Sequence, residues 1–210
     1  MIRVLIADDH AIVRRGLKQI LADTTDIVVA GEAADGRQAL EKVQAQAFDV
    51  LVLDITMPGR GGLEILKDLK RLKPALPVLV LSMHAEEQYA TRTLRAGAAG
   101  YLNKESAPEE LVKAIRKVCS GGKYVSAAQA ERMAGELQSD TSKPPHELLS
   151  NREFEILCLI ASGKTATEIA RELSLSVKTV STYRARILEK MNLSTNAQLT
   201  HYAIKSGLVD

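Results

Sequence analysis

Acidic residues stand where short apolar runs stop. Asp8 and Asp9 follow Ile2–Ala7, and Asp54 follows Val50-Leu51-Val52-Leu53. Carboxylates gathered at one place repel unless a cation sits among them. An all-oxygen ligand set favours a hard ion such as Mg²⁺, completed by waters and a backbone carbonyl. A carboxylate beside such an ion can attack a phosphoryl group, because the metal and a lysine neutralise the equatorial oxygens. Ser82 and Lys104, each at the end of a further apolar run, supply the hydroxyl and the ammonium. The constellation predicts aspartyl-phosphate chemistry at Asp54. Asp9 is expected to ligate the metal directly, Asp8 directly or through water, and Thr56 through its carbonyl.

These residues meet only if the chain folds so as to bring them together. Strand-like runs fall at Ile2–Ala7, Ile27–Ala30, Val50–Leu53, Val78–Leu81 and Gly100–Leu102. Unbroken apolarity suits strands covered on both faces. Helical spacing joins Val13, Leu17, Ile20 and Leu21, then Ala39, Leu40 and Val43, then Leu63, Leu66 and Leu69, and finally Leu111, Ile115 and Val118. Ser106 with Glu109 could open the last of these as a capping box. Strand–helix alternation predicts a flavodoxin-like, doubly wound, five-stranded parallel sheet of order 2-1-3-4-5. Strands one and three are then neighbours at the reversal of strand order, where ligands bind. Asp8, Asp9, Asp54, Ser82 and Lys104 should share that edge.

The character changes at about Gln138. Gln138-Ser139-Asp140-Thr141-Ser142-Lys143-Pro144-Pro145-His146 carries no apolar period and reads as an exposed linker, preceded by a helix over 127–137. Beyond it, helices fit 151–162, 166–173, 177–191 and 196–206, with Ser150 and Glu153 as a capping box. The brief break at Ser174-Leu175-Ser176 gives a helix-turn-helix. In helix 177–191, Val180, Tyr183, Ile187 and Met191 fall on the core face. Lys178, Thr179, Ser181, Thr182, Arg184, Ala185 and Arg186 offer a basic, hydroxyl-bearing surface suited to a major groove. Lys190 adds a phosphate contact, and Lys164 and Thr165, ahead of the preceding helix, are expected on the DNA backbone. The expected organisation is 1–122, then helix and linker over 123–147, then an all-α four-helix domain over 148–210.

Composition narrows the classes. At 210 residues the chain suits two domains, and with 46% hydrophobic but only 3% aromatic residues its cores must be aliphatic. No window approaches a membrane span, and the N-terminal run turns acidic too soon for a secretory leader, so a cytoplasmic protein is expected. Cys119 and Cys158 lack metal-ligand spacing. A net charge of +2 leaves nucleic-acid binding to local charge placement.

Asp8-Asp9, Leu53-Asp54-Ile55-Thr56-Met57-Pro58-Gly59, Ser82 and Lys104 resemble the receiver domain of bacterial response regulators. The resemblance implies Asp54 as phosphoacceptor, Asp8 and Asp9 as the acidic metal pocket, Ser82 as switch hydroxyl, Tyr101 as switch aromatic and Lys104 as the phosphate-pairing lysine. Thr56 and His84 fall at positions that tune hydrolysis in such domains. Glu105 departs from the proline more often found after the lysine. Leu149-Ser150-Asn151-Arg152-Glu153, Gly163-Lys164-Thr165, Glu168-Ile169-Ala170 and Ser176-Val177-Lys178-Thr179-Val180 with Lys190-Met191 resemble the LuxR-type DNA-binding domain. Together they resemble the NarL/FixJ family. That implies a sensor histidine kinase as phosphodonor, double-stranded DNA with paired half-sites, a homodimer using the last helix, and no enzymatic turnover. Two alternatives stay open. One is a phosphatase or phosphotransferase using the aspartate as catalytic nucleophile, against which Thr56 stands where haloacid-dehalogenase-type enzymes carry a second Asp. The other is a DNA-binding protein whose first domain acts without phosphorylation.

Overall fold

The computed structural model describes residues 1–57, 62–83, 86–105, 108–126, 130–131 and 144–209. The chain divides into two compact units, Met1–Ala134 and Gly135–Asp210.

The first unit alternates β1 (Ile2–Ala7), α1 (Ala11–Ala22), β2 (Ile27–Ala33), α2 (Gly36–Ala45), β3 (Val50–Asp54), α3 (Gly62–Leu72), β4 (Val78–Ser82), α4 (Glu86–Arg95), β5 (Gly100–Asn103) and α5 (Pro108–Cys119). The strands form one five-stranded sheet of order β2-β1-β3-β4-β5, parallel throughout. The expected doubly wound order is therefore observed. Every residue of β3 and β4 is buried, as helices on both faces require. Val4, Ile6, Val50, Val52, Leu79 and Leu81 pack with Leu17 and Leu21 of α1 and Leu111, Ile115 and Val118 of α5. Alternate residues Leu5, Leu51, Leu53 and Val80 turn to the other face, where Leu66 and Leu69 of α3 are also buried.

Strand β2 runs three residues past the expected Ala30, to Ala33. It does so through an irregularity: Val4 pairs with Val29, but Leu5 pairs with Gly31, so Ala30 is the extra residue. Helix α4 lacks the aliphatic stripe that marks the others. Its buried positions include Tyr89, Ala90 and Thr93, which is why periodicity did not expose it. After α5 the chain returns to the sheet. Tyr124 bridges Gly100 in parallel, its N–H donating to Ala99 O at 2.9 Å and its carbonyl accepting from Tyr101 N–H at 3.1 Å. The Tyr124 hydroxyl also bonds the Glu110 carboxylate.

In the second unit a 3₁₀ turn (Pro145–Leu148) leads to α6 (Asn151–Ala161), α7 (Ala166–Glu172), α8 (Val177–Lys190) and α9 (Asn196–Lys205). The expected capping box at Ser150 and Glu153 is present, and Thr165 with Glu168 and Thr195 with Gln198 form two more. Ser174 takes a positive φ of 53° in the α7–α8 turn. Phe154, Leu157, Ile169, Val180, Ile187 and Leu199 are buried at its centre. Tyr183, expected on the core face, is only half-buried and also lines a shallow concavity with Lys178, Thr182 and Arg186. Of the helix expected over 127–137, residues 130–131 are described and helical. Most of the linker, the Ser106 cap, His84 and Pro58-Gly59 lie outside the described residues. Among the described residues, no helix is long and apolar enough to cross a membrane.

Among the described residues of the first unit, two glycines stand closest to neighbouring backbone. A Cβ on Gly100 would stand 2.6 Å from Tyr124 O. One on Gly62 would stand 2.3 Å from Ile55 Cα, directly after Asp54. Neither obstacle is a flexible side chain, so the backbone itself must shift. Gly62→Ala is expected to cost about 1–3 kcal/mol, as overpacking does. Urea unfolding of the full chain measures it, and an unchanged midpoint would show that the approach is not a constraint.

Candidate functional site

The carboxyl edge of the sheet gathers the predicted residues. Asp8 lies one residue past β1, Asp54 and Ser82 end β3 and β4, and Lys104 lies one residue past β5. Asp8 and Asp54 are each 1% exposed and Ser82 is fully buried. Lys104 Nζ lies 2.7 Å from Asp54 Oδ2 and 2.6 Å from Asp8 Oδ2. Burial pushes the Lys104 pKa down. Asp54 and Asp8 outweigh that and hold it above the ordinary lysine value, so the ammonium stays charged. Asp54 Oδ1 is fixed separately, accepting from the Thr56 backbone N–H at 2.9 Å and the Thr56 hydroxyl at 2.7 Å. Both oxygens of Asp54 are thus oriented before any ligand arrives.

Asp8 Oδ1 accepts from the His10 N–H at 2.8 Å, at the start of α1. Asp8 Oδ2 and Asp9 Oδ1 are buried oxygens that make no well-aligned hydrogen bond, although the Lys104 ammonium stands 2.6 Å from the first and His10 Nδ1 3.0 Å from the second. Carboxylate oxygens so incompletely satisfied leave coordination capacity for a cation. Asp8, Asp9, His10 and Asp54 can each turn one ligand atom within 4.8 Å of all the others. Three carboxylates against one ammonium leave a double negative charge, which a divalent ion matches. The donors fit a hard metal. His10 borders the acidic pocket, its Nδ1 3.0 Å from Asp9 Oδ1 and 61% of its side chain exposed.

Tyr101 is 1% exposed, its ring already turned inward on β5. Glu105, where a proline is commoner, donates its N–H to Asn103 Oδ1 at 2.9 Å, giving the turn after β5 a different fastening. Lys104 N–H still reaches Ser82 O at 2.8 Å, so the departure does not displace the lysine. Neither cysteine is in a disulfide, and burial pushes the Cys119 thiol up to about 11, which keeps it protonated at neutral pH.

In the second unit, Ser176 caps α8 by accepting the Thr179 N–H at 3.0 Å. Lys178, Ser181, Thr182, Ala185 and Arg186 are all exposed, at the spacing of one continuous stripe. Several predicted DNA residues have internal partners. Thr165 caps α7, Lys164 pairs with Glu172 at 2.5 Å, and the Thr182 hydroxyl donates to Lys178 O at 3.0 Å. Thr179 Oγ1 lies 2.8 Å from Ser176 Oγ. Arg184 Nε donates to Asn196 Oδ1 at 2.5 Å, and Lys190 Nζ to Glu153 Oε2 at 2.7 Å. Sequence reasoning missed Arg152. It is 7% exposed and donates to Leu173 O at 3.1 Å and to Glu155 Oε2 at 2.7 Å, tying the start of α6 to the end of α7.

Residues 4–116 match the response regulator receiver domain, and residues 147–203 match the luxR family of bacterial regulatory proteins. The response regulator UvrY of Escherichia coli is 41% identical over 209 residues, covering 99% of this chain and 96% of its own. The response regulator GacA of Pseudomonas protegens is 40% identical over 210 residues, covering 100% of this chain and 99% of its own. A structure of RcsB from Salmonella enterica serovar Typhimurium, bound to promoter rprA with a phosphomimetic, superposes with a TM-score of 0.67. It shares 29% identity and covers 96% of this chain and 97% of that one. The fold and the acidic pocket define a phosphoacceptor receiver joined to a LuxR-type helix-turn-helix. The chain belongs to the NarL/FixJ family of two-component response regulators, transcription factors rather than enzymes with an external substrate.

The capping box at α6 gives a pH dependence. Burial pushes the Glu153 carboxyl up, but bonds from Lys190 and Ser150 outweigh it and hold the pKa below the usual carboxylate range. Its contribution is therefore complete above the unfolded value of about 4.3 and is lost as pH falls through the lowered folded value. The Ser150 N–H, 2.7 Å from Glu153 Oε2, reports it. Amide exchange of the full chain should show its protection falling about tenfold across that acid window, and a flat profile in Glu153→Gln. Equal acid dependence in both would reject the bond as the source.

Proposed function

We propose that Asp54 accepts a phosphoryl group from a sensor histidine kinase and that the modification controls sequence-specific DNA binding. The observation that carries this reading is the fixed Asp54 carboxylate, with Lys104 on one oxygen and Thr56 on the other, beside the incompletely satisfied carboxylates of Asp8 and Asp9. Asp8, Asp9, Asp54 and the Thr56 carbonyl would hold Mg²⁺, which when bound neutralises charge on the transferring phosphoryl oxygens. An Asp54 oxygen forms the bond to phosphorus as the P–N bond to the donor imidazole breaks. The electron pair leaves on nitrogen, and an acyl phosphate results. Lys104 pairs with the added charge and the Ser82 hydroxyl donates to a phosphoryl oxygen, which favours the inward Tyr101 over other placements.

Residues 1–122 act as the receiver, 123–147 as helix and linker, and 148–210 as the DNA-binding domain, in the cytoplasm. Helix α8 enters the major groove with Lys178, Ser181, Thr182, Ala185 and Arg186 toward the bases and nearby phosphates. Lys164, Thr165, Thr179 and Arg184 flank that surface, and α9 contributes to a homodimer on paired half-sites. The description of RcsB as bound to promoter DNA with a phosphomimetic supports the coupling of the two events.

Acetyl phosphate should label the full chain with one phosphoryl group in Mg²⁺, and Asp54→Asn or excess EDTA should abolish the label. Labelling of Asp54→Asn at the same stoichiometry would overturn the assignment. Binding selection from random duplexes should yield a site held several-fold more tightly by the phosphorylated protein. Equal affinity in both states would instead favour a receiver acting without phosphorylation.

A further inference from the structure

Resting on the reading of α8 as the DNA-facing helix, we propose that Lys190 is a positioning residue that fastens this helix to α6. On that assignment Lys190 is not a phosphate contact, and Lys178 and Arg186 carry the charge that DNA meets.

The first turn of α6 holds both halves of the helix-turn-helix. Arg152 reaches Leu173 O at the end of α7, and Glu153 receives Lys190 Nζ from the last turn of α8. Glu153 is 3% exposed, and its Oε2 accepts both the Ser150 N–H and the Lys190 ammonium, each at 2.7 Å. Moving Lys190 to a phosphate would strip a buried carboxylate of its counter-charge. Breaking one side of such a pair is far more costly than a surface ion pair is worth. Helix ends favour the same arrangement, since Glu153 lies at a positive N-terminus and Lys190 at a negative C-terminus.

Two other basic residues of this unit already have partners. Lys164 is neutralised by Glu172, and Arg184 is turned to Asn196. Among the described residues, Lys178 and Arg186 have no side-chain partner in the structure. They stand two turns apart on the exposed stripe, with Thr182 between them. Thr182 is uncharged, and its hydroxyl already donates to Lys178 O.

The test measures binding of the full-length, beryllofluoride-treated protein to two duplexes from 50 to 200 mM salt. One is a duplex selected by the unaltered protein from a random pool, and the other is of scrambled sequence. Lys178→Gln and Arg186→Gln should each lower the slope of log K against log salt by about 0.9, the value for one lost phosphate contact. Lys190→Gln should leave the slope unchanged yet lower the selected-to-scrambled affinity ratio several-fold. Glu153→Gln should do the same, and the double variant should be no worse than either alone. A slope loss of about 0.9 in Lys190→Gln, or additive losses in the double variant, would overturn the proposal. If neither Lys178→Gln nor Arg186→Gln moves the slope, the placement of α8 on DNA fails. A double-mutant cycle on unfolding free energy then still decides the fastening, and zero coupling between positions 153 and 190 overturns it.

Discussion

Electrostatic repulsion among Asp8, Asp9 and Asp54 is the constraint on which the first unit turns. No isolated peptide would hold three carboxylates so close. The parallel sheet does so because β1 and β3 are hydrogen-bonded neighbours, in a register that sets Ala7 beside Leu53 and so brings the residues that follow to one edge. The apolar strands below supply the stability that offsets the repulsion. Lys104 relieves part of it, reaching Asp8 and Asp54 from the far side of β4. What remains is an excess of negative charge at the sheet edge. Such an excess matches a divalent cation, which is what the proposed phosphoryl chemistry requires.

The second unit meets the opposite requirement. A surface meant for a polyanion must keep some of its cations uncommitted. It also needs internal charge to fix helices too short to be stable alone. The two uses are divided by position. Arg152, Glu153 and Lys190 pair within the fold, whereas, among the described residues, Lys178 and Arg186 on the exposed stripe of α8 do not.

Much of this was legible in the sequence because the signals were strong and local. Unbroken runs such as Val50–Leu53 and Val78–Leu81 fix buried strands, and the carboxylates at their ends fix the pocket. The capping box of Ser150 and Glu153 is equally direct, since it follows from two residues three apart. Other features were hidden because they depend on contacts distant in sequence. Helix α4 buries tyrosine, alanine and threonine, so it shows no aliphatic period. The extension of β2 depends on an irregularity opposite Leu5. The destination of Lys190 could not be read because its partner lies 37 residues away, and Tyr183 was assigned to the core by a periodicity that its hydroxyl-bearing ring satisfies only in part.

The Tyr124 bridge has a consequence for the sheet's outer margin. A strand at the edge of a sheet offers bare amides and carbonyls to any other chain, and this is a common route to aggregation. Beside β5, the Tyr101 N–H and the Ala99 carbonyl are occupied by Tyr124 of the same molecule. Gly100 leaves no space between the two backbones for a foreign side chain. The strand carrying Tyr101 and leading to Lys104 is thereby closed to intermolecular pairing along this stretch.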